Sequence, residues 1–142
     1  MTLQRLALRA AVACALVVPS PVQAWEGRVS WYGAEHRQAT RNVACSRRSV
    51  GPLAGRFNPA GMTAAHWTLP CGSRVRVTDL TTGASVDVTV NDRGPHPRLG
   101  RTLDLSKGAA ERLGIVRRGV IRARLTILTS AGLGRLHLAG TP

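Results

Sequence analysis

The chain is poor in acidic residues. Only 7 of its 142 residues are Asp or Glu, against 20 that are Lys or Arg, and its formal net charge is +13. Nearly all of the positive charge is arginine, since Lys107 is the one lysine. This composition favours contact with anionic polymers or anionic envelope surfaces, and its alternative explanation is a solvated basic surface with no partner.

Aromatic residues are also scarce, at 3 Trp, 1 Tyr and 1 Phe. A nucleic-acid module of known type combines basic residues with aromatic side chains in a recognisable motif, and the sequence contains no such motif. We therefore expect no nucleic-acid partner.

Cysteine is limited to 3 residues, of which Cys45 and Cys71 follow the N-terminal leader described below. Two cysteines in an exported chain predict one disulfide. The competing interpretation is a zinc site, which would need a second Cys-x-x-Cys or a nearby His pair that this chain lacks. We expect the disulfide, and neither a metal nor a cofactor.

Long apolar runs are absent, and the one short run lies in a leader at residues 1–24. Arg5 and Arg9 precede this run, and small residues stand just before Trp25, as at a signal peptidase site. The run is too short to cross a bilayer. The sequence favours cleavage over acylation of Cys14, because the leucine of a lipoprotein signal is missing. We therefore expect an exported protein of the periplasm or cell envelope.

The rest of the chain alternates polar and apolar residues in short segments, which is typical of β-strands. A helix is predicted from Ser106, as its capping residue, to about Leu113, with Gly114 ending it. A long loop at 34–61 would be tethered by the disulfide. The predicted strands cover residues 27–33, 62–65, 74–78, 86–90, 102–105 and 120–128.

Five or six short strands with one short helix predict a small, closed or nearly closed β-barrel. A single helix does not suffice for a series of parallel strand–helix–strand units. We expect one domain over residues 25–130, a loosely held tail at 131–142, and a monomer.

Two of the few carboxylates stand at the ends of predicted strands. Asp92 lies in the segment Asn-Asp-Arg-Gly-Pro at 91–95, and Asp104 lies in Leu-Asp-Leu-Ser. Paired carboxyl groups suit acid–base chemistry on a glycan. Two other interpretations remain open. The acids can pair with Arg93 and Arg101, or they can accept backbone N–H bonds and tie loops together.

Six segments of the chain lie at 27–33, 56–59, 62–66, 68–70, 91–95 and 103–106. Taken in this order, they resemble the rare lipoprotein A family. The resemblance implies an all-β fold, a six-stranded double-psi β-barrel with one short helix, which expansins share. Family members with an assigned activity are lytic transglycosylases, which cleave the glycan strands of peptidoglycan without a cofactor.

The resemblance also implies candidate catalytic residues. His66 and Asp92 match two acting residues of the family, whereas Gly55 stands where the family has a glutamate before Arg-Phe. Related expansin-type barrels place an acting Asp where Asp104 stands. We predict Asp104 as the proton donor and Asp92 as its charged partner, and Glu35 is a weaker replacement for the missing glutamate.

Three further residues are predicted to bind the substrate. Trp67 and Tyr32 offer flat rings that suit sugar faces, and Arg93 lies beside Asp92. Together these residues predict a lytic transglycosylase that leaves 1,6-anhydro ends on peptidoglycan glycan strands. Gly55 keeps open a second function, a non-catalytic, expansin-like module that binds wall glycan. A groove filled by side chains would leave a basic structural protein instead.

Overall fold

The computed structural model describes residues 23–33, 42–48 and 55–130. The predicted leader (apart from its last two residues), the predicted tail and Glu35 lie outside these ranges, so that what the sequence predicts for them stays a prediction. None of the helices within the described ranges combines the length and apolar character needed to span a bilayer.

The described residues form six strands and one α-helix. Each predicted strand is found within a few residues of its predicted ends. Two short 3-10 turns, Ala44–Arg48 and Pro97–Leu99, lie in the loops. The elements are β1 (Ala24–Tyr32), β2 (Thr63–His66), β3 (Arg74–Asp79), β4 (Ser85–Asp92), β5 (Leu103–Ser106), α1 (Lys107–Leu113) and β6 (Ile121–Thr129).

The strands close into a barrel in the order β1-β5-β2-β4-β3-β6. The β1–β5 and β2–β4 pairs are parallel, and the other four pairs are antiparallel. The prediction of an all-β, six-stranded barrel with one short helix is confirmed. Because β2 and β6 are three strands apart in either direction, they lie on opposite sides of the barrel.

Strand alternation places the core inside the barrel. In β3, Val75 and Val77 are fully buried while Arg74 and Arg76 are exposed. The same pattern holds in β6, where apolar residues alternate with arginines. Burial of the apolar side chains supplies the main favourable free energy of folding. The apolar side of α1 joins this core through Ala109, Ala110 and Leu113.

The start of α1 differs from the sequence prediction. Ser106 occupies the N-cap position, but its side chain makes no capping hydrogen bond. Its hydroxyl instead donates to the carbonyl oxygen of Gly61 at 2.5 Å. Ser106 is also the last residue of β5 and is fully buried, so its side chain bonds within the barrel wall. The helix ends as predicted at Gly114, whose φ of 76° favours glycine.

The predicted disulfide between Cys45 and Cys71 is present, with 5.7 Å between the two Cα atoms. It joins the turn Ala44–Arg48 to the loop between β2 and β3. These two cysteines are therefore unavailable as zinc ligands.

Candidate active-site groove

Strand pairing brings the two predicted acids to one row of the sheet. Ala65 of β2 pairs with Asp104 on β5 and with Asp92 on β4. A bulge between Ala64 and Ala65 shifts the β2–β4 register, so that Asp92 rather than Asn91 stands opposite Ala65. The backbones that carry the two carboxyl groups are thus two strands, or about 10 Å, apart.

A groove of about 250 Å³ lies over this row. The small side chain of Ala65 forms part of its floor. Asp104 also lines the groove, with 13% of its side chain exposed. The groove is lined by Tyr32, Ala65, Arg93, Gly94, Pro95, His96, Leu99, Arg101 and Asp104.

Two neighbours hold the carboxyl group of Asp104 by its Oδ1 atom. The hydroxyl of Ser30, a buried residue opposite Asp104 on β1, donates a hydrogen bond to Oδ1. Arg101 places its Nε 3.6 Å from the same oxygen, which confirms one of the arginine pairings left open by the sequence. That Nε is buried and makes no hydrogen bond. Ser30 and Arg101 therefore orient the carboxyl group that reaches the groove.

Asp92 has different surroundings, because only 1% of its surface is exposed. Its Oδ1 accepts the backbone N–H groups of Ala44 and Arg93, both at 2.9 Å. Its Oδ2 accepts the hydroxyl of Tyr32 at 3.4 Å. These bonds match the alternative in which an acid ties loops together. Asp92 fixes the turn at Ala44 and the ring of Tyr32 to the end of β4.

The side chain of Arg93 contacts the loop between β2 and β3. One guanidinium nitrogen donates to the carbonyl oxygens of His66, at 3.0 Å, and Leu69, at 2.7 Å. The other donates to Sγ of Cys71 at 3.2 Å. Arg93 lines the groove, but its guanidinium is engaged in holding this loop.

His66 lies on the other face of β2 from the groove. It pairs with Leu103, a core residue, and its ring packs edge-on against Trp25 at 6.1 Å. Its Nδ1 accepts the backbone N–H groups of Thr68, at 3.2 Å, and Leu69, at 3.0 Å, so that the ring proton is on Nε2. Burial and, secondarily, the charge of Arg93 lower the pKa of His66. The structure therefore does not bring His66 together with Asp104 in the groove.

The predicted aromatic residues stand in and beside the groove. Tyr32 forms part of the wall and stacks on Phe57, with ring centroids 4.7 Å apart. Trp67 is 51% exposed, and its ring lies 5.9 Å from that of His96, which lines the groove. A sugar ring can therefore contact Tyr32 inside the groove and Trp67 at its rim.

Ser30 and His96 are not among the site residues that the sequence predicts, and Arg101 is predicted only as a partner for an acid. Signals for two of them exist. Ser30 is a polar residue at an outward position of β1, and Arg101 stands three residues before Asp104. Nothing in the sequence joins His96 to Trp67, because that contact depends on the path of the loop after β4.

Gly55 stands where the resemblance implies a glutamate, and its backbone has a positive φ. Its φ of 123° lies in a region that favours glycine, and no atom lies within 4 Å of where a Cβ would stand. Its carbonyl oxygen accepts the N–H of Val43 at 3.2 Å. A glutamate at this position would need a different local backbone.

Within residues 23–33, 42–48 and 55–130, no three His, Cys, Asp or Glu side chains are grouped so that they could hold a metal ion. The expectation of a chain without metal or cofactor therefore stays a prediction.

Sequence comparison relates the chain to wall-cleaving enzymes. Residues 25–125 match a family model described as lytic transglycolase. The probable endolytic peptidoglycan transglycosylase RlpA of Nostoc sp. is 46% identical over 104 residues, which cover 73% of this chain and 26% of that protein. The endolytic peptidoglycan transglycosylase RlpA of Pseudomonas aeruginosa is 45% identical over 100 residues, covering 70% and 26%. The chain therefore spans about a quarter of the length of these relatives.

Solved structures show the same architecture. The apo expansin of Clavibacter michiganensis superposes with a TM-score of 0.53 at 25% identity, covering 75% of this chain and 51% of that one. Cerato-platanin 3 from M. perniciosa gives 0.52 at 18% identity, covering 74% and 95%. These similarities confirm the double-psi β-barrel that the sequence predicts.

Proposed function

The chain belongs to the RlpA-like family of lytic transglycosylase barrels, and on this basis we propose that it cleaves peptidoglycan glycan strands in the cell envelope. The products carry 1,6-anhydromuramic acid ends. The observation that carries the proposal is Asp104, a carboxyl group oriented by Ser30 and Arg101 at the floor of an open groove. The disulfide fits an exported protein.

The reaction needs one group that first donates and then accepts a proton. Asp104 gives its proton to the glycosidic oxygen as the bond from that oxygen to the anomeric carbon breaks. The C6 hydroxyl of the same muramic acid then attacks the anomeric carbon and returns its proton to Asp104. The new C1–O6 bond closes the anhydro ring, so that no water is consumed.

Asp92 and His66 support this site from outside the groove. Asp92 is sealed from solvent and holds Tyr32 and the turn at Ala44, so we assign it the positioning of the groove wall. His66 holds the turn after β2 through its Nδ1, and we assign it a positioning role as well.

Gly55 favours a second candidate, a non-catalytic module that binds and loosens wall glycan. The glutamate of the family is absent at this position, and the backbone there is one that glycine prefers. Binding without cleavage would use the same groove, with Tyr32 and Trp67 as stacking surfaces.

Incubation with purified glycan strands, followed by mass analysis for 1,6-anhydro ends, separates the two functions. We expect the wild-type protein to release such ends and Asp104→Asn to lose at least about 100-fold in rate, as expected for removal of a general acid. Asp87→Asn is the matched control, since this β4 carboxylate pairs with Arg76 outside the groove. Full release by Asp104→Asn would refute its role, and binding without release by the wild type would select the second candidate.

A further inference from the structure

A second, basic surface lies on β6 and the first half of β1. We define the basic face as Arg28 on β1 with Arg122 and Arg124 on β6. All three residues are exposed, and the side chains of Arg122 and Arg124 are 76% and 55% exposed. Because β6 stands opposite β2, Arg122 and Arg124 point away from the groove over Ala65. Arg28 lies at the side of the barrel, where its guanidinium approaches Gly100, next to the groove residues Leu99 and Arg101.

The basic face carries positive charge that the fold does not neutralise. Arg28 and Arg122 stand directly opposite each other in the β1–β6 pair, and facing like charges destabilise a sheet. Arg122 and Arg124 share one carboxylate, that of Glu26, at 3.5 and 3.2 Å. No acidic side chain of the described residues forms an ion pair with Arg28. Arg124 stands directly opposite Glu26 and its charge is compensated, whereas barrel stability does not account for Arg28 and Arg122 facing each other.

Exposed apolar side chains adjoin the basic face. Leu80 and Val120 are each 38% exposed. The backbone N–H of Leu80 donates to the carbonyl oxygen of Arg122 at 3.1 Å, and Val120 stands two residues before Arg122. Two large apolar groups thus lie beside the arginines, on the side of the molecule away from the groove.

We propose that the basic face binds the phosphate groups of an anionic phospholipid surface, with Leu80 and Val120 entering the headgroup region. Guanidinium groups form bidentate hydrogen bonds with phosphates. The headgroup region of a lipid bilayer also admits apolar side chains, which suits the neighbouring Leu80 and Val120. A linear polyanion is the less suitable partner. Single-stranded nucleic acid, one such polyanion, is bound in a groove with stacking aromatic rings, whereas the basic face is the outside of a barrel.

Docking by the basic face sets the direction of the groove. With β6 against the lipid, β2 and Ala65 face away from it, toward the space that holds the wall polymer. The lipid contact uses no residue of the groove, so it is independent of the proposed cleavage.

Vesicle sedimentation tests the proposal on protein purified from the exported fraction, with its N-terminus established by intact mass. We expect binding to vesicles with about 30% phosphatidylglycerol, no binding to phosphatidylcholine alone, and weaker binding in salt. The triple variant Arg28→Gln, Arg122→Gln and Arg124→Gln should lower the partition coefficient on the order of 100-fold, because each arginine near such a surface contributes about fivefold.

A control triple variant removes the same charge from other faces. Arg56, Arg98 and Arg112 are all exposed, and their replacement by Gln should lower partitioning less than about 10-fold. Equal losses in the two triple variants would overturn the proposal in favour of net charge alone. Absence of binding to anionic vesicles, or tighter binding to a soluble polyanion such as DNA than to vesicles, would also overturn it.

Two further measurements test the geometry. Leu80→Ser with Val120→Ser should lower partitioning on the order of 10-fold, since both groups would leave the apolar region. Acrylamide quenching of Trp67, read as the difference between wild type and Trp67→Phe, should not change when vesicles bind. Protection of Trp67 from acrylamide on vesicle binding would refute the proposed orientation of the groove away from the lipid. Release of anhydro ends by the Arg triple variant reports separately on the proposed function.

Discussion

At the scale of residues, Asp92 and Asp104 share one row of the sheet and differ in access. Asp92 receives two backbone N–H groups and is 1% exposed, whereas Asp104 receives a serine hydroxyl and reaches the groove. The difference arises from the loops, because the turn at Ala44 covers Asp92. A carboxyl group must be accessible to exchange a proton with substrate, and this favours Asp104 as the acting group.

Ser30 is predicted to position that group. Ser30→Ala removes the hydroxyl that donates to Asp104, and we expect kcat for anhydro-end release to fall about 10-fold or more while KM stays within about twofold. Steady-state kinetics on glycan strands measures both constants. Ser30→Thr keeps a hydroxyl and should recover much of the loss. A rise in KM with unchanged kcat would instead assign Ser30 to substrate binding.

At the scale of elements, α1 sits unusually close to the segment before β2. The backbone N–H of Gly108 donates to the carbonyl oxygen of Pro59 at 2.7 Å, and a Cβ on Gly108 would stand 2.6 Å from the carbonyl oxygen of Ala60. This approach places the start of α1 over the chain that leads into β2. Glycine is required at position 108 by this contact with Ala60, and not by a turn of the backbone.

Gly108→Ala is therefore predicted to destabilise the protein. Helix propensity alone favours alanine by about 1 kcal/mol, but the clash with backbone atoms of Ala60 should cost about 1–3 kcal/mol beyond that gain. Urea unfolding measures the change. Glu111→Ala, at an exposed position of the same helix, should stay within about 0.5 kcal/mol of wild type. A stabilised Gly108→Ala protein would contradict the contact.

The disulfide connects two elements that shape the site. Cys45 adjoins Ala44, whose N–H holds Asp92, and Cys71 lies in the loop that Arg93 holds. Replacing both cysteines by serine should lower the free energy of unfolding by about 3 kcal/mol, given a separation of 26 residues.

Urea unfolding with and without reductant checks this effect. The wild-type protein under reductant should match the double variant, and the double variant should not respond to reductant. A reductant response of similar size in the variant would assign the loss to something other than this bond.

At the scale of the whole molecule, the sequence predicts the wall of the barrel better than its site. Alternation predicts β1, β3, β4 and β6, because β-strands buried on one face repeat every two residues. β2 and β5 are short and buried on both faces, so they carry no such pattern. The sequence does not predict which face of β2 carries His66, or that the turn at Ala44 covers Asp92. Both depend on a parallel strand pairing, a bulge and the paths of loops. Pairings of this kind join distant segments and leave no local pattern.

Stability of the whole barrel should fall toward acid. Hydrogen bonding from Arg118 lowers the pKa of Asp79 below its ordinary 3.8, and burial lowers the pKa of His66 below 6.5. Because the pKa of Asp79 is lower in the folded protein than in the unfolded chain, Asp79 stabilises the fold above pH 3.8. This contribution is lost as the pH falls through the pKa of the folded state. A lowered histidine pKa lets the unfolded chain bind a proton first, so stability also declines below 6.5.

We expect a plateau above pH 7, a shallow decline below about 6.5 and a steeper one below about 4 in urea unfolding. Asp79→Asn should be less stable by about 2 kcal/mol at pH 7 and should lose the steeper decline. Asp87→Asn is its control, because the pair of Asp87 with Arg76 is exposed and should contribute less than about 1 kcal/mol. A flat profile from pH 7 to 3 would contradict both assignments.

Closure of the barrel affects how the protein can associate with other chains. Each of the six described strands has a hydrogen-bonded neighbour on both sides over part of its length, which limits the free margin to short stretches such as residues 24–28 of β1 and 85–88 of β4. Backbone-templated aggregation through the doubly paired stretches is thereby avoided. A partner that binds those stretches must recognise side chains, which single substitutions can alter one at a time while the hydrogen-bonded frame stays as it is.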